Sequence, residues 1–202
     1  MMDTRAAIAQ VLQGRHIEAV AIGGSAGGVN ALLQILPGLP PNFSRPVIVV
    51  LHVQGGRQSQ LAEVFQRQLA LPVREAGDKE AIVPGTLYFA PSDYHLSVET
   101  DASFSLSCEP PVNFARPAID LMMASAADTY GSGLLGILLT GANHDGAVGL
   151  AAIGEAGGMT VAQNPDEAMV GTMPEQAIRL RMPDLILPLA DIRSLLSMLE
   201  NT

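Results

Sequence analysis

Val20-Ala21-Ile22-Gly23-Gly24-Ser25-Ala26-Gly27-Gly28-Val29 carries an apolar run straight into two glycines, a serine and two more glycines. Ile17 to Ile22 has the β-branched and apolar content of a buried strand, and from Val29 onward Leu32, Leu33 and Leu36 recur at helical spacing. The stretch predicts strand, sharp turn, helix. A turn that tight needs residues without a Cβ, because several positions must take positive φ or let two backbones approach closely. Ser25 is then expected exposed on a strained corner, at the positive end of the following helix. The loop is no dinucleotide fingerprint, since Ser25 stands where G-x-G-x-x-G needs glycine, and no P-loop, since no Gly-Lys-Ser/Thr follows. It does fit G-x-S-x-G through Gly23, Ser25 and Gly27, the nucleophile elbow, in the strand–turn–helix context that motif requires. The competing role for Ser25 is a helix cap, its oxygen accepting an orphan backbone N–H.

Working outward, Ile8, Val11 and Leu12 before Gly14 predict a short lead-in helix or frayed end over residues 1–16, ahead of one domain over 17–202. Downstream, Pro46 to Val53 reads as a second apolar strand ending on His52, and Leu61, Val64, Phe65 and Leu69 as a second helical face. Strand, helix, strand, helix is the signature of a parallel sheet covered on both sides. Between Pro72 and Glu109 the pattern breaks into short strand-like pieces (73–75, 86–90, 95–99, 103–107), expected as short strands and hairpins attached to the main sheet. Pro117 suits a first helical position, with Ile119, Met122, Met123 and Ala126 as the buried face. Gly133 to Thr140 is a third clear strand, then a helix with Ala147, Leu150 and Ala151 inward and Gly157-Gly158 as its stop. Met159 to Gln163 and Asp184 to Leu187 complete the strands; 164–175 reads as a loop, 176–180 as helix, and Asp191 as the cap of a terminal helix facing inward with Ile192, Leu195, Leu196 and Leu199. The expected fold is α/β: a three-layer α/β/α sandwich around a doubly wound, mostly parallel sheet with a small hairpin section.

Composition bounds the partners. With 48% hydrophobic but only 4% aromatic residues among 202, the core is aliphatic. Eleven basic against twenty acidic residues leave a net charge of −9 and no basic run, which argues against nucleic acid as a partner. The single Cys108 forms no intrachain disulfide, and with no leader-like opening the chain reads as cytoplasmic. Val47 to Val53 and Gly133 to Leu139 are far shorter than the ~20 apolar residues of a membrane span, so no membrane insertion is expected.

In a doubly wound sheet, functional residues gather at the carboxyl ends of strands. Ser25 follows the first strand, His52 closes the second and Asp145 lies in the loop after the third. A serine hydroxyl is a weak nucleophile until a base takes its proton, and that base works best when a carboxylate fixes its tautomer and balances the imidazolium. Each residue also has an ordinary role: His52 as a structural strand-end histidine, Asp145-Gly146 as a turn pair, His144 as a solvated loop residue or an alternative base. The order Ser, Asp, His of α/β-hydrolases is excluded, because the histidines are 16, 52, 95 and 144 and none follows Asp145. An order Ser25, Asp93 or Asp120, His144 stays open. No histidine pair has zincin spacing and there is no cysteine cluster, so neither metal nor cofactor is expected.

Taken together, Ala21-Ile22-Gly23-Gly24-Ser25-Ala26-Gly27-Gly28, Leu51-His52-Val53, Ala90-Pro91-Ser92-Asp93-Tyr94-His95, Pro111-Val112-Asn113 with Arg116-Pro117-Ala118-Ile119-Asp120, Leu139-Thr140-Gly141 with Asp145-Gly146-Ala147, and Ala162-Gln163-Asn164-Pro165 with Met173-Pro174 resemble the CheB-type protein-glutamate methylesterases of bacterial chemotaxis. The resemblance runs from about Ile17 to about Leu199. It implies a serine hydrolase with Ser25, His52 and Asp145 as triad, acting on glutamate γ-methyl esters of chemoreceptor cytoplasmic helices, with glutamine deamidation as a side activity. Ala26 and Ala142 are then the candidate oxyanion donors, and His95, Arg116 and Met173 border the cleft. The family's receiver domain would precede Ile17, where sixteen residues stand, so regulation is expected from a separate receiver or other signalling protein. Thr140-Gly141-Ala142-Asn143 replaces the usual Thr-Gly-Met-Gly, with asparagine as the next best residue to glycine for positive φ. The alternatives are an esterase or amidase acting on another acyl substrate and a non-catalytic binding module of the same fold.

Overall fold

A computed structural model describes residues 4–52 and 59–201; Val53, expected at the end of the second strand, lies outside them. The opening stretch forms β1 (Ala19–Gly24) followed by α2 (Gly28–Ile35), preceded by α1 (Thr4–Leu12). The strand thus runs through both Gly23 and Gly24, and of the four glycines only Gly27, the helix N-cap, takes positive φ (83°). The others serve close packing: a Cβ on Gly28 would stand 2.8 Å from Leu51 Cδ2, and one on Gly23 would collide with Ile119. Ser25 is half-buried, outside the left-handed region, and does not cap α2, which has no side-chain cap.

The remaining elements are β2 (Val47–Leu51), α3 (Ser59–Gln66), β3 (Val73–Glu75), β4 (Leu87–Phe89), β5 (His95–Val98), β6 (Phe104–Ser107), α4 (Ile119–Tyr130), β7 (Leu134–Leu138), α5 (Ala147–Glu155), β8 (Met159–Gln163), α6 (Thr172–Leu180), β9 (Leu185–Leu187) and α7 (Leu189–Met198). Seven strands form one sheet in the order β3-β4-β2-β1-β7-β8-β9, every neighbouring pair parallel, while β5 and β6 make a separate antiparallel hairpin. The three-layer α/β arrangement is therefore present. The middle section divides in two: β3 and β4 join the main sheet as parallel strands, and only 95–107 is hairpin.

Alternation along each strand sends side chains to opposite layers. Val20, Ile22, Val47 and Val49 pack with Leu32, Phe65, Ile192 and Leu195, the core on the α1, α2, α3 and α7 side. Ala19, Ala21, Ile48 and Val50 pack with Met122, Met123, Leu150 and Phe104, the core under α4, α5, α6 and the hairpin. Each buried Ile, Leu or Val contributes roughly 1.5–3 kcal/mol. Ile8 and Leu12 of α1 are buried in the first of these cores, so the lead-in is packed onto the domain.

Several element ends differ from expectation. Val64 faces solvent while Leu61 and Phe65 are buried. The Arg116–Pro117 bond is cis and α4 begins at Ile119, not Pro117: Ala118 is extended as its N-cap, and His95 Nδ1 and Asp145 Oδ2 accept the N–H groups of Ala118 and Ile119. Helix α6 starts at Thr172, four residues early. Asp191 sits inside the first turn of α7, whose Leu189 N–H donates instead to Glu167 Oε1 (2.5 Å).

Candidate active site

Strand β1 separates the two directions of winding, so its carboxyl end and those of β2 and β7 meet at the crevice where ligands bind in open α/β sheets. Register sets who meets whom. Gly24 pairs with Leu51, and His52 N–H donates to Gly24 O (3.1 Å), so Ser25 and His52 leave neighbouring strand ends together. From the β7 side, Ser25 N–H donates to Thr140 O (2.9 Å) and Thr140 Oγ1 to Ala26 O (2.9 Å). Thr140 is itself fixed by Gln163 Oε1, which accepts its N–H at 2.8 Å. The elbow is thus knit to both neighbours.

Across this corner His52 Nε2 lies 2.8 Å from Asp145 Oδ2. An ionised carboxylate only accepts, so Nε2 carries the hydrogen and Nδ1 keeps the lone pair a general base needs. Asp145 is fully buried, the His52 side chain 14% exposed. Asp145 Oδ2 also accepts Ile119 N–H (2.7 Å), and Oδ1 accepts Asp120 N–H (3.1 Å) and Asn113 Nδ2 (3.4 Å). Burial pushes the Asp145 carboxyl up, but the hydrogen bond from His52, the Ile119 and Asp120 N–H groups and the imidazole charge together hold it below the usual carboxylate value. The neighbouring Asp120 goes the other way: burial raises it, the Gly149 and Gly146 N–H groups pull it down, and the charge of Asp145 helps keep it above the ordinary value.

The other expected site residues are placed differently. Ala26 and Ala142 are exposed on the two loops beside Ser25. Met173 is buried beneath Gly141, its N–H donating to Gly141 O (3.0 Å). His95 is almost fully buried and uses both ring nitrogens on backbone: Nδ1 accepts Ala118 N–H (3.2 Å) and Nε2 donates to Pro110 O (3.1 Å). Arg116 clasps the carbonyls of Cys108 and Glu109 at 2.9 and 3.0 Å. His144 is exposed and lies 3.1 Å from Asn113 Oδ1, away from Asp145 in its bonding. Asn143 has no positive φ; its Oδ1 accepts Asp145 N–H (3.3 Å), and the left-handed residue of the loop is Gly146 (φ 94°).

Two contributors were not singled out by sequence reasoning as working beside Asp145: Asn113, whose amide reaches both acids, and Asp120, whose carboxylate accepts the N–H groups of Gly146 and Gly149. The available signal was an acid in the first turn of a helix among buried neighbours, Ile119, Met122 and Met123. A cavity of about 480 Å³ opens beside Asn113 and the 142–144 loop, lined also by Phe114, Thr172 and Gln176. A larger one of about 830 Å³ lies between α1 and the end of α7 and touches none of these residues. Among the described residues no group of three or more His, Cys, Asp or Glu side chains is arranged to hold a metal ion.

Fold and site together define a hydrolase-like class: a doubly wound α/β domain with a serine elbow and a histidine–carboxylate pair at adjacent strand ends. Residues 20–196 match the CheB methylesterase family, and the chain belongs to it. A Leptospira interrogans relative is 41% identical over 186 residues, which is 92% of this chain and 96% of its own length. Protein-glutamate methylesterase/protein-glutamine glutaminase 1 of Carboxydothermus hydrogenoformans is 38% identical over 178 residues, covering 86% of this chain and 52% of that protein. The crystal structure of the Thermotoga maritima CheB methylesterase catalytic domain superposes with a TM-score of 0.86 at 34% identity, covering 92% of this chain and 99% of that one. The chain is accordingly an enzyme of the protein-glutamate methylesterase class. No described helix is long and apolar enough to cross a membrane.

Proposed function

We propose that residues 17–202 form a catalytic domain that hydrolyses glutamate γ-methyl esters on the cytoplasmic helices of a chemoreceptor, with Ser25 as nucleophile, His52 as base and Asp145 as the carboxylate that orients it. The observation that carries this reading is the 2.8 Å His52–Asp145 bond beside the G-x-S-x-G corner. His52 Nδ1 takes the Ser25 proton as Oγ attacks the ester carbonyl. The tetrahedral oxyanion is met by backbone N–H groups of Ala26 and Ala142, on loops tied together through Thr140. Collapse breaks the C–O bond to the methoxy group, which leaves as methanol with the proton from His52, and a glutamyl-serine ester remains. Water, deprotonated by His52, then releases glutamate and restores Ser25. A glutamine side chain passes through the same steps with ammonia leaving, which is the deamidase side activity. Receptor helices of this kind place the enzyme in the cytoplasm. The test is incubation with a methylated receptor fragment: methanol release abolished by Ser25→Ala supports the reading, and release from simple esters but never from the fragment assigns a different acyl substrate.

A further inference from the structure

Two acids cross between two helix ends beside the reactive pair. Asp145 stands just before α5, yet its carboxylate caps α4 by accepting the Ile119 and Asp120 N–H groups at 2.7 and 3.1 Å. Asp120 stands in the first turn of α4, yet its Oδ1 caps α5 by accepting the Gly146 and Gly149 N–H groups at 2.8 and 2.7 Å. Asn113 joins the two, its Nδ2 lying 2.9 Å from Asp120 Oδ2 and 3.4 Å from Asp145 Oδ1. A buried carboxylate is costly unless its oxygens are satisfied, and these three donors do that. All of them bear on Asp145: Gly146 is its chain neighbour, Gly149 follows one turn on, and Asn113 touches it. Gly149 lets the helices close to this distance, since a Cβ there would stand 3.0 Å from Asp120 Cα.

We infer that Asp120 is a positioning residue for the hydrolysis, holding the Asp145 carboxylate in register with His52 through the crossed helix ends and the Asn113 amide. This rests on the triad reading above. Asp120→Asn replaces one acceptor oxygen by an NH2 group. With its NH2 toward α5 it meets the glycine N–H groups; with its NH2 toward Asn113, that amide must turn its oxygen inward and Asp145 Oδ1 loses its Nδ2 donor. The Asp145 loop then loosens against α4, and misplacement of this kind costs on the order of 10- to 100-fold in rate. The charged and titratable groups gathered here are His52, Asp145, Asp120 and, through Asn113, His144. Removing one negative charge from them disfavours an imidazolium, so the acidic limb of the pH–rate profile moves to lower pH.

The test is the rate at which a fluorophosphonate probe modifies Ser25 as a function of pH, in the full chain and in Asp120→Asn, with final labelling counting intact sites. The expected result is a per-site rate lower by about 10- to 100-fold, an acidic limb at lower pH, and unchanged final labelling. An unchanged rate, or a loss that only follows the number of intact sites with the limb unmoved, overturns the inference. An unlabelled parent chain sinks the serine-hydrolase reading and this role with it, whereas a labelled parent with an unresponsive Asp120→Asn sinks this role alone. If Asp120→Asn does not fold, Asn113→Ala tests the link from the loop side. It takes one donor from Asp145, which then holds the imidazolium more firmly, so slower labelling with the limb at higher pH is expected and an unaltered profile overturns the inference.

Discussion

Ser25, His52 and Asp145 act as one unit in this account, so their substitutions should not add. Ser25→Ala and His52→Gln should each remove nearly all turnover, and the double variant should be little worse, as kcat on a methylated fragment will show. Asp145→Asn keeps the shape but no longer fixes the tautomer or balances the imidazolium, and a loss of up to ~10⁴ is expected by analogy with the protease triad. His144→Gln should cost little, because His144 is exposed and bonds Asn113, not Asp145; a dead His144→Gln beside an active His52→Gln reverses the assignment of the base. The depressed Asp145 carboxyl also makes a stability claim. Its ionised form is favoured in the fold, so its contribution is complete above the unfolded value near 3.9 and is lost as pH falls through the lower folded value. The urea-midpoint gap between the parent chain and Asp145→Asn should therefore close as pH drops below about 4, and a gap independent of pH contradicts it. At this scale the strand ends that carry Ser25, His52 and Asp145 were legible in the sequence, and the structure brings His52 and Asp145 together at them. Asp120 and Asn113 were less legible, since their roles arise only when α4 is brought against α5.

Helix ends and strand ends do the positioning at the next scale. The strands β1, β2 and β7 were legible because both faces are buried and the apolar run is nearly continuous, and β8, buried along its length, carries Met159, Val161 and Ala162. The three-residue strands β3 and β4 carry too few residues to show a period, and the places of β4 beside β2 and of β3 beside β4 are fixed by long-range pairing, Val47 with Leu87 and Leu87 with Val73. The start of α4 was likewise hidden, since it is set by His95 and Asp145 reaching in from elsewhere rather than by Pro117. The α4–α5 contact makes a direct prediction. At Gly149 a Cβ would lie 2.7 Å from Met123 Cβ and 3.0 Å from the Asp120 backbone, atoms that cannot swing aside. Gly149→Ala should destabilise the fold by about 1–3 kcal/mol in chemical unfolding and lower kcat more than it raises KM; a neutral outcome means the helices are not held this close.

The whole molecule is acidic, with a net charge of −9, and the reaction turns a neutral ester into a carboxylate. Repulsion should speed product departure, and salt should screen it. Inhibition by demethylated fragment is therefore expected to strengthen as ionic strength rises; no change with salt means the overall charge does not reach the cleft. The layered architecture was legible as a whole because strand and helix patterns alternate along most of the chain, whereas the all-parallel order of the sheet depends on pairings that no local pattern records. The central claim is that this layered sheet delivers one serine to one base. Peptide mapping of the fluorophosphonate adduct tests it most directly: a single adduct on Ser25, lost in His52→Gln and strongly slowed in Asp145→Asn, is the predicted result, and an adduct on another serine, or one on Ser25 indifferent to His52→Gln, contradicts it.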